Sequence, residues 1–183
     1  LSVSGTSNLG ANVTTSGTQT YTGDVTLSAN TTLTTTSNGS IYFGGTIDGG
    51  YTLDITAHGT GDTTFNDAVG DSTALGDITI DTNDLTAAAI TAGNLDLTNS
   101  GTGAVTGIIA NASELDTLAL IKAGVGTLTL SAVNTFTGDT TISAGDVAIG
   151  GSGQLGSGSY GGAISIASGS SLSFASSASQ TLS

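Results

Sequence analysis

The sequence predicts an all-β fold, a parallel β-solenoid, from three observations. Short segments of alternating apolar and hydroxyl residues recur along the chain, glycine-bearing corners part them at short intervals, and one strand–corner–strand unit appears twice. In Thr127-Leu128-Thr129-Leu130 the leucines fall on one face and the threonines on the other, as a half-buried strand requires. Thr140-Thr141-Ile142-Ser143 and Asp146-Val147-Ala148-Ile149 repeat the alternation after corners at Gly138 and Gly145. Each strand is too short to make a core alone and must stack on a neighbour.

The same alternation marks Val25-Thr26-Leu27, Leu33-Thr34, Ile41-Tyr42-Phe43, Leu53-Asp54-Ile55, Ile78-Thr79-Ile80 and Leu95-Asp96-Leu97. Helical signals are scarce: Ser113-Glu114-Leu115-Asp116 opens at most one turn, with Ser113 as its cap, before Gly124 and Gly126 end any run. The repeated unit pairs Gln19–Leu27 with Asn134–Ile142, each an aromatic residue, a Thr-Gly-Asp corner and a strand; Gly45–Gly49 and Phe65–Val69 are looser echoes. A degenerate repeat of this kind favours a solenoid over a Greek-key sandwich, the competing all-β architecture. Residues 151–183 are rich in Gly, Ser and Ala, yet Ile164-Ser165-Ile166 and Leu172-Ser173-Phe174 keep the strand pattern. One continuous solenoid over residues 1–183 is expected, with a loop near 151–161.

Composition narrows the function. The chain has 29 glycines and no proline, cysteine, methionine or tryptophan, so turns rest on Gly, Asn, Asp and Ser and no thiolate site exists. Fourteen acidic side chains face Lys122 alone, for a net charge of -13, which removes the electrostatic footprint that nucleic acid or an anionic lipid surface needs. No apolar run approaches the roughly 18 residues of a membrane helix, and no basic segment precedes an apolar stretch at Leu1. Slender Val, Ile, Leu and Ala suit the stacked interior of a solenoid better than large aromatics do. At roughly 20 residues per coil the chain makes about nine coils, a rod about 43 Å long.

Three segments then carry a resemblance: Ala123-Gly124-Val125-Gly126-Thr127-Leu128-Thr129-Leu130, Asn134-Thr135-Phe136-Thr137-Gly138-Asp139-Thr140, and Ser143-Ala144-Gly145-Asp146-Val147. Over 120–150 they resemble the autotransporter-associated β-strand repeat, and Gln19 through Thr106 more loosely resembles filamentous-haemagglutinin-like bacterial surface proteins. The resemblance implies a single-stranded right-handed parallel β-helix, secretion across the outer membrane, an extracellular or cell-surface place and a passenger or stalk role without catalytic residues. The strand patterns at Leu1–Ser4 and Gln180–Ser183 are expected to meet further coils or a second subunit end to end.

Candidate sites are few. Oxygen ligands from Asp, Asn and corner carbonyls suit calcium, and the clusters Asp62, Asn66, Asp67, Asp71 and Asp77, Asp81, Asn83, Asp84 are the candidates, with a solvated acidic face as the plain alternative. His58 with Asp54 and Ser72 would imitate a hydrolytic triad, but such triplets arise by chance in a chain this rich in Ser and Asp. The pairs Asp77/Asp81 and Asp81/Asp84 offer an acid and a base for polysaccharide cleavage, although the arginines or lysines that would hold a uronate are missing. Thr32-Leu33-Thr34 and Thr127-Leu128-Thr129 present threonine pairs of the kind that could order ice, without one fixed spacing. Sequons stand at Asn12, Asn30, Asn38 and Asn111, and Tyr42, Phe43 and Tyr51 form the one aromatic cluster fit for a surface glycan.

Overall fold

The computed structural model describes residues 1–183, and its sheets are parallel throughout. Each coil visits three faces in turn. The first face is a nine-stranded sheet that starts at Ser2–Val3, passes Gln19–Tyr21, Ile41–Phe43 and Thr63–Phe65, and ends at Ser171–Phe174. The second is broken. A sheet of Ser7–Leu9, Val25–Leu27 and Ile47–Asp48 continues through single bridges at Val69 to the pair Ile90–Ala92 and Ile109–Asn111. The third face is an eight-stranded sheet running from Val13–Thr15 to Ile164–Ile166. Helical structure is limited to a 3-10 turn at Gly156–Gly158.

Period-two alternation becomes burial directly. Along Leu53–Ala57 the residues Leu53, Ile55 and Ala57 are buried while Asp54 and Thr56 stay at the surface. In-register pairing then places like positions over one another: Val3, Tyr21, Phe43, Phe65, Ala87, Val105, Leu130, Ile149 and Phe174 form one inward column of the first face. Partners along that face are 18 to 25 residues apart, so nine strands enclose eight full turns instead of nine. The corners take up the extra residues. At about 4.8 Å per coil the rod is about 38 Å long.

The core is less slender than its composition suggests. Tyr21, Phe43 and Phe65 stack with ring centroids 5.2 and 5.4 Å apart, and Phe136 meets Tyr160 edge-on at 5.6 Å. Coil spacing matches offset ring stacking, so an aromatic is accepted wherever the next coil repeats it. Beyond Phe65 the column narrows to Ala87.

Three local expectations are refined. Ser113–Asp116 forms a single turn, in which the Ser113 hydroxyl donates to Asp116 Oδ2 at 2.7 Å, within an exposed loop that leaves the solenoid after Asn111. The 151–161 stretch carries little regular structure until Ser159–Tyr160, yet Leu155 and Tyr160 are buried and complete the coil. The two copies of the repeated unit occupy different faces: Gln19–Tyr21 belongs to the first face, whereas Thr140–Ile142, aligned with Val25–Leu27 of the second, belongs to the third. What repeats is a corner, turned by one face.

Candidate functional site

Polar side chains gather at the corners, and most reach the neighbouring coil. At the corner from third face to first, Ser40 Oγ accepts the Asp62 amide at 3.1 Å, Asp62 Oδ1 accepts the Asp84 amide at 3.1 Å, and Asp84 Oδ1 accepts the amide and, at 3.2 Å, the hydroxyl of Thr102. Four consecutive coils are thereby joined by one ladder. At the corner from second face to third, Asn12 and Asn30 accept the amides of Thr32 and Thr52 at 2.9 and 3.1 Å, and Asp139 accepts that of Ala163 at 2.9 Å. Each such bond gives a backbone amide at or beside a corner a partner on the preceding coil.

The Thr-Gly-Asp corners now have a mechanism. Asp24 Oδ1 accepts the Thr46 amide at 3.1 Å, the same service that Asp139 gives Ala163. Gly138 lies so close to the preceding coil that a Cβ would stand 2.3 Å from the Leu118 carbonyl oxygen. Only glycine admits that approach.

A second column runs inside the corner from third face to first. Thr35 Oγ1 donates to the Gly39 carbonyl at 2.6 Å, Thr82 Oγ1 to those of Gly61 and Asp84 at 3.1 and 3.0 Å, and Asn99 Nδ2 to that of Gly101 at 2.8 Å. Lys122 reaches the same corner with its ammonium, from the inward position two residues earlier in the register. Its backbone pairs with Leu97 below and Ile142 above, it is 0% exposed, and its ammonium donates to the carbonyls of Ala123, Gly124 and Ala144 at 2.6, 2.9 and 3.4 Å. Burial pushes the Lys122 pKa below that of an ordinary lysine, and the charge of Asp146 opposes the shift. Burial likewise raises Tyr160, whose hydroxyl bonds to Thr140 and to the Gly138 carbonyl.

The proposed calcium ligands are dispersed by the coil geometry. Asp62, Asn83 and Asp84 do meet, with Asn83 Nδ2 donating to Asp62 Oδ1 at 3.0 Å, although they come from the two different sequence clusters. Asp77 accepts from Asn94 Nδ2 at 2.8 Å on the opposite edge of the third face, and Asp67 accepts the adjacent Ala68 amide at 2.8 Å. Asn66, Asp71 and Asp81 are exposed, Asp81 in the outward row with Thr56 and Thr98. No three His, Asp or Glu side chains converge as a metal-binding group.

The other candidate sets separate too. His58 follows the third-face strand Leu53–Ala57, whereas Ser72 lies in the loop before the next one, its amide bonded to Asp48 Oδ1. Asp77, Asp81 and Asp84 lie before, within and after the single strand Ile78–Thr82. Thr32 and Thr34 face out from the third face and Thr127 and Thr129 from the first. Of the aromatic cluster, Phe43 is core, Tyr42 points outward beside it, and Tyr51 is 42% exposed at another corner. Asn12, Asn30, Asn38 and Asn111 each turn the side-chain oxygen to a backbone amide.

One cleft exists, of about 330 Å³, where the loop after Asn111 leaves the rod; Ala110, Asn111, Ser113, Glu114 and Thr135 line it. Leu115, in the same loop, is 95% exposed.

No curated protein and no solved structure matches the chain. The family model of the passenger-associated-transport-repeat matches residues 120–149, the turn that contains Lys122 and the Thr137-Gly138-Asp139 corner. That match, set within a continuous parallel β-solenoid, fits a β-helical repeat of an autotransporter passenger.

Proposed function

We propose that the chain is a non-enzymatic stalk or filament segment of a bacterial surface adhesin, exported across the outer membrane and working outside the cell through its length and stiffness. The observation that carries this reading is the unbroken first face, whose ladder passes through every coil from Ser2 to Phe174. Corner carboxylates and amides support it, since they bind adjacent coils to one another instead of lining a deep cavity. End-to-end association belongs to the same reading. Its ground is the parallel pairing itself, since the edge of a parallel sheet accepts a further parallel strand. Electron microscopy of the native surface material tests the proposal: rods or fibrils continuous with a larger protein are expected, and isolated compact particles would contradict it.

A carbohydrate- or host-binding adhesin module is the second reading, favoured by the cleft beside the loop after Asn111. Its lining offers hydroxyls from Ser113 and Thr135 and the Glu114 carboxylate. Glycan-array binding that disappears when residues 112–117 are replaced by a short glycine linker would favour this reading over the plain stalk.

A further inference from the structure

Trypsin-like endoproteases need a Lys or Arg side chain in an acidic specificity pocket and extended backbone on both sides of the bond they cut. This chain offers one residue of that type, Lys122. The fold hides it completely. Its side chain is 0% exposed, and its ammonium is held by three backbone carbonyls in the corner from third face to first. The bond that would be cut, Lys122–Ala123, lies in the strand Leu120–Ala123, paired on both sides with Leu95–Asn99 and Thr140–Ile142. Presenting Lys122 to a protease therefore requires separating its coil from both neighbours.

We propose that the Lys122–Ala123 peptide bond is a latent cleavage site for basic-specific serine endoproteases, the only one in the chain, closed in the native rod by burial of the lysine. When the coil opens, water is added across that one bond and the chain falls into residues 1–122 and 123–183. A folded rod survives such proteases. A misassembled or unfolded chain is split within the turn that matches the passenger repeat. This inference stands on the placement of Lys122 and holds whether or not the rod is a stalk; digestion tests the one and microscopy the other.

The test is trypsin digestion of the full chain, native and in moderate urea, beside two variants. The unfolded chain is expected to give the two fragments, and the native chain to be cut at least about a thousandfold more slowly, because cleavage then follows the open fraction. Lys122→Gln should be uncut in either state. Leu115→Lys places a basic residue where the native side chain is 95% exposed and should be cut while folded. Native cutting after Lys122 within about tenfold of the unfolded rate overturns the proposal, with the threshold set against that same open-fraction expectation. So does a folded Leu115→Lys protein as resistant as the parent, since protection would then belong to backbone rigidity and not to the buried lysine.

Discussion

Thr63 places a hydroxyl between Ile41 and Leu85 in the core, where its oxygen has no hydrogen-bond partner. Thr63→Val removes the orphan at nearly constant shape and is expected to raise stability by about 1 kcal/mol, read from urea midpoints. Asp84 is the reverse case. Its carboxylate accepts from both the amide and the hydroxyl of Thr102, so Asp84→Ala should lower stability by about 1.5–3 kcal/mol while Asp84→Asn, which keeps an acceptor, should lose less. Three buried groups make stability depend on alkaline pH. Burial pushes Tyr21 up to about 12, above the unfolded value near 10; its contribution is full below pH 10 and is lost as pH rises through about 12. Lys122 acts in the other direction. Its folded pKa is lowered, so the unfolded chain holds that proton more tightly and stability rises as pH climbs from the folded value toward about 10.4. Urea midpoints across the alkaline range should therefore rise and then fall, and Tyr21→Phe should weaken the fall, leaving the part due to Tyr160.

Strands and corners differ in how much of them the sequence reveals. Period-two alternation shows the strands because each residue's face depends only on its immediate neighbours, so Thr127–Leu130 reads correctly and Leu53–Ile55 marks the start of the strand Leu53–Ala57. Leu120-Ile121-Lys122-Ala123 misleads, because a lysine beside an isoleucine suggests the charge outside. Pairing with Leu97 and Ile142 instead turns Lys122 inward and leaves Ile121 38% exposed. Corner chemistry is harder to read still. Asp84 serves Thr102 and Asp139 serves Ala163, 18 and 24 residues on, and coils of unequal length hide that correspondence. A Gly-Thr pair following an Asp or Asn of the previous coil was the available signal, as in Asp84 with Gly101-Thr102 and Asp24 with Gly45-Thr46. The glycine is required for space: a Cβ at Gly101 would lie 2.1 Å from Asp84 Oδ1, so Gly101→Ala should cost about 2 kcal/mol in a thermal melt. Carboxylates already engaged with amides have less to offer a cation. Excess chelator is expected to leave the melting temperature unchanged, whereas a rise on adding calcium would assign the Asp62, Asn83 and Asp84 corner a ligand role.

Over the whole molecule the coils act as one stack. Every turn shares strand ladders with the turns beside it, and a net charge of -13 opposes sideways association of rods while leaving axial contact to the strand edges. Stiffness in such a stack follows from nearest-neighbour contacts repeated along the axis. Its clearest signature is a distance that grows with coil number and not with sequence separation. Thr20 and Ala148 both face outward in one row of the first face, six coils apart through Tyr42, Thr64, Thr86, Ala104 and Thr129. The chain has no cysteine, so Thr20→Cys and Ala148→Cys give a uniquely spin-labelled pair. Pulsed dipolar spectroscopy should return a single narrow distribution near 29 Å, about 4.8 Å for each coil, allowing for the labels. A broad distribution, or a separation under about 20 Å, fewer than five coil spacings, would contradict a stiff rod of stacked turns.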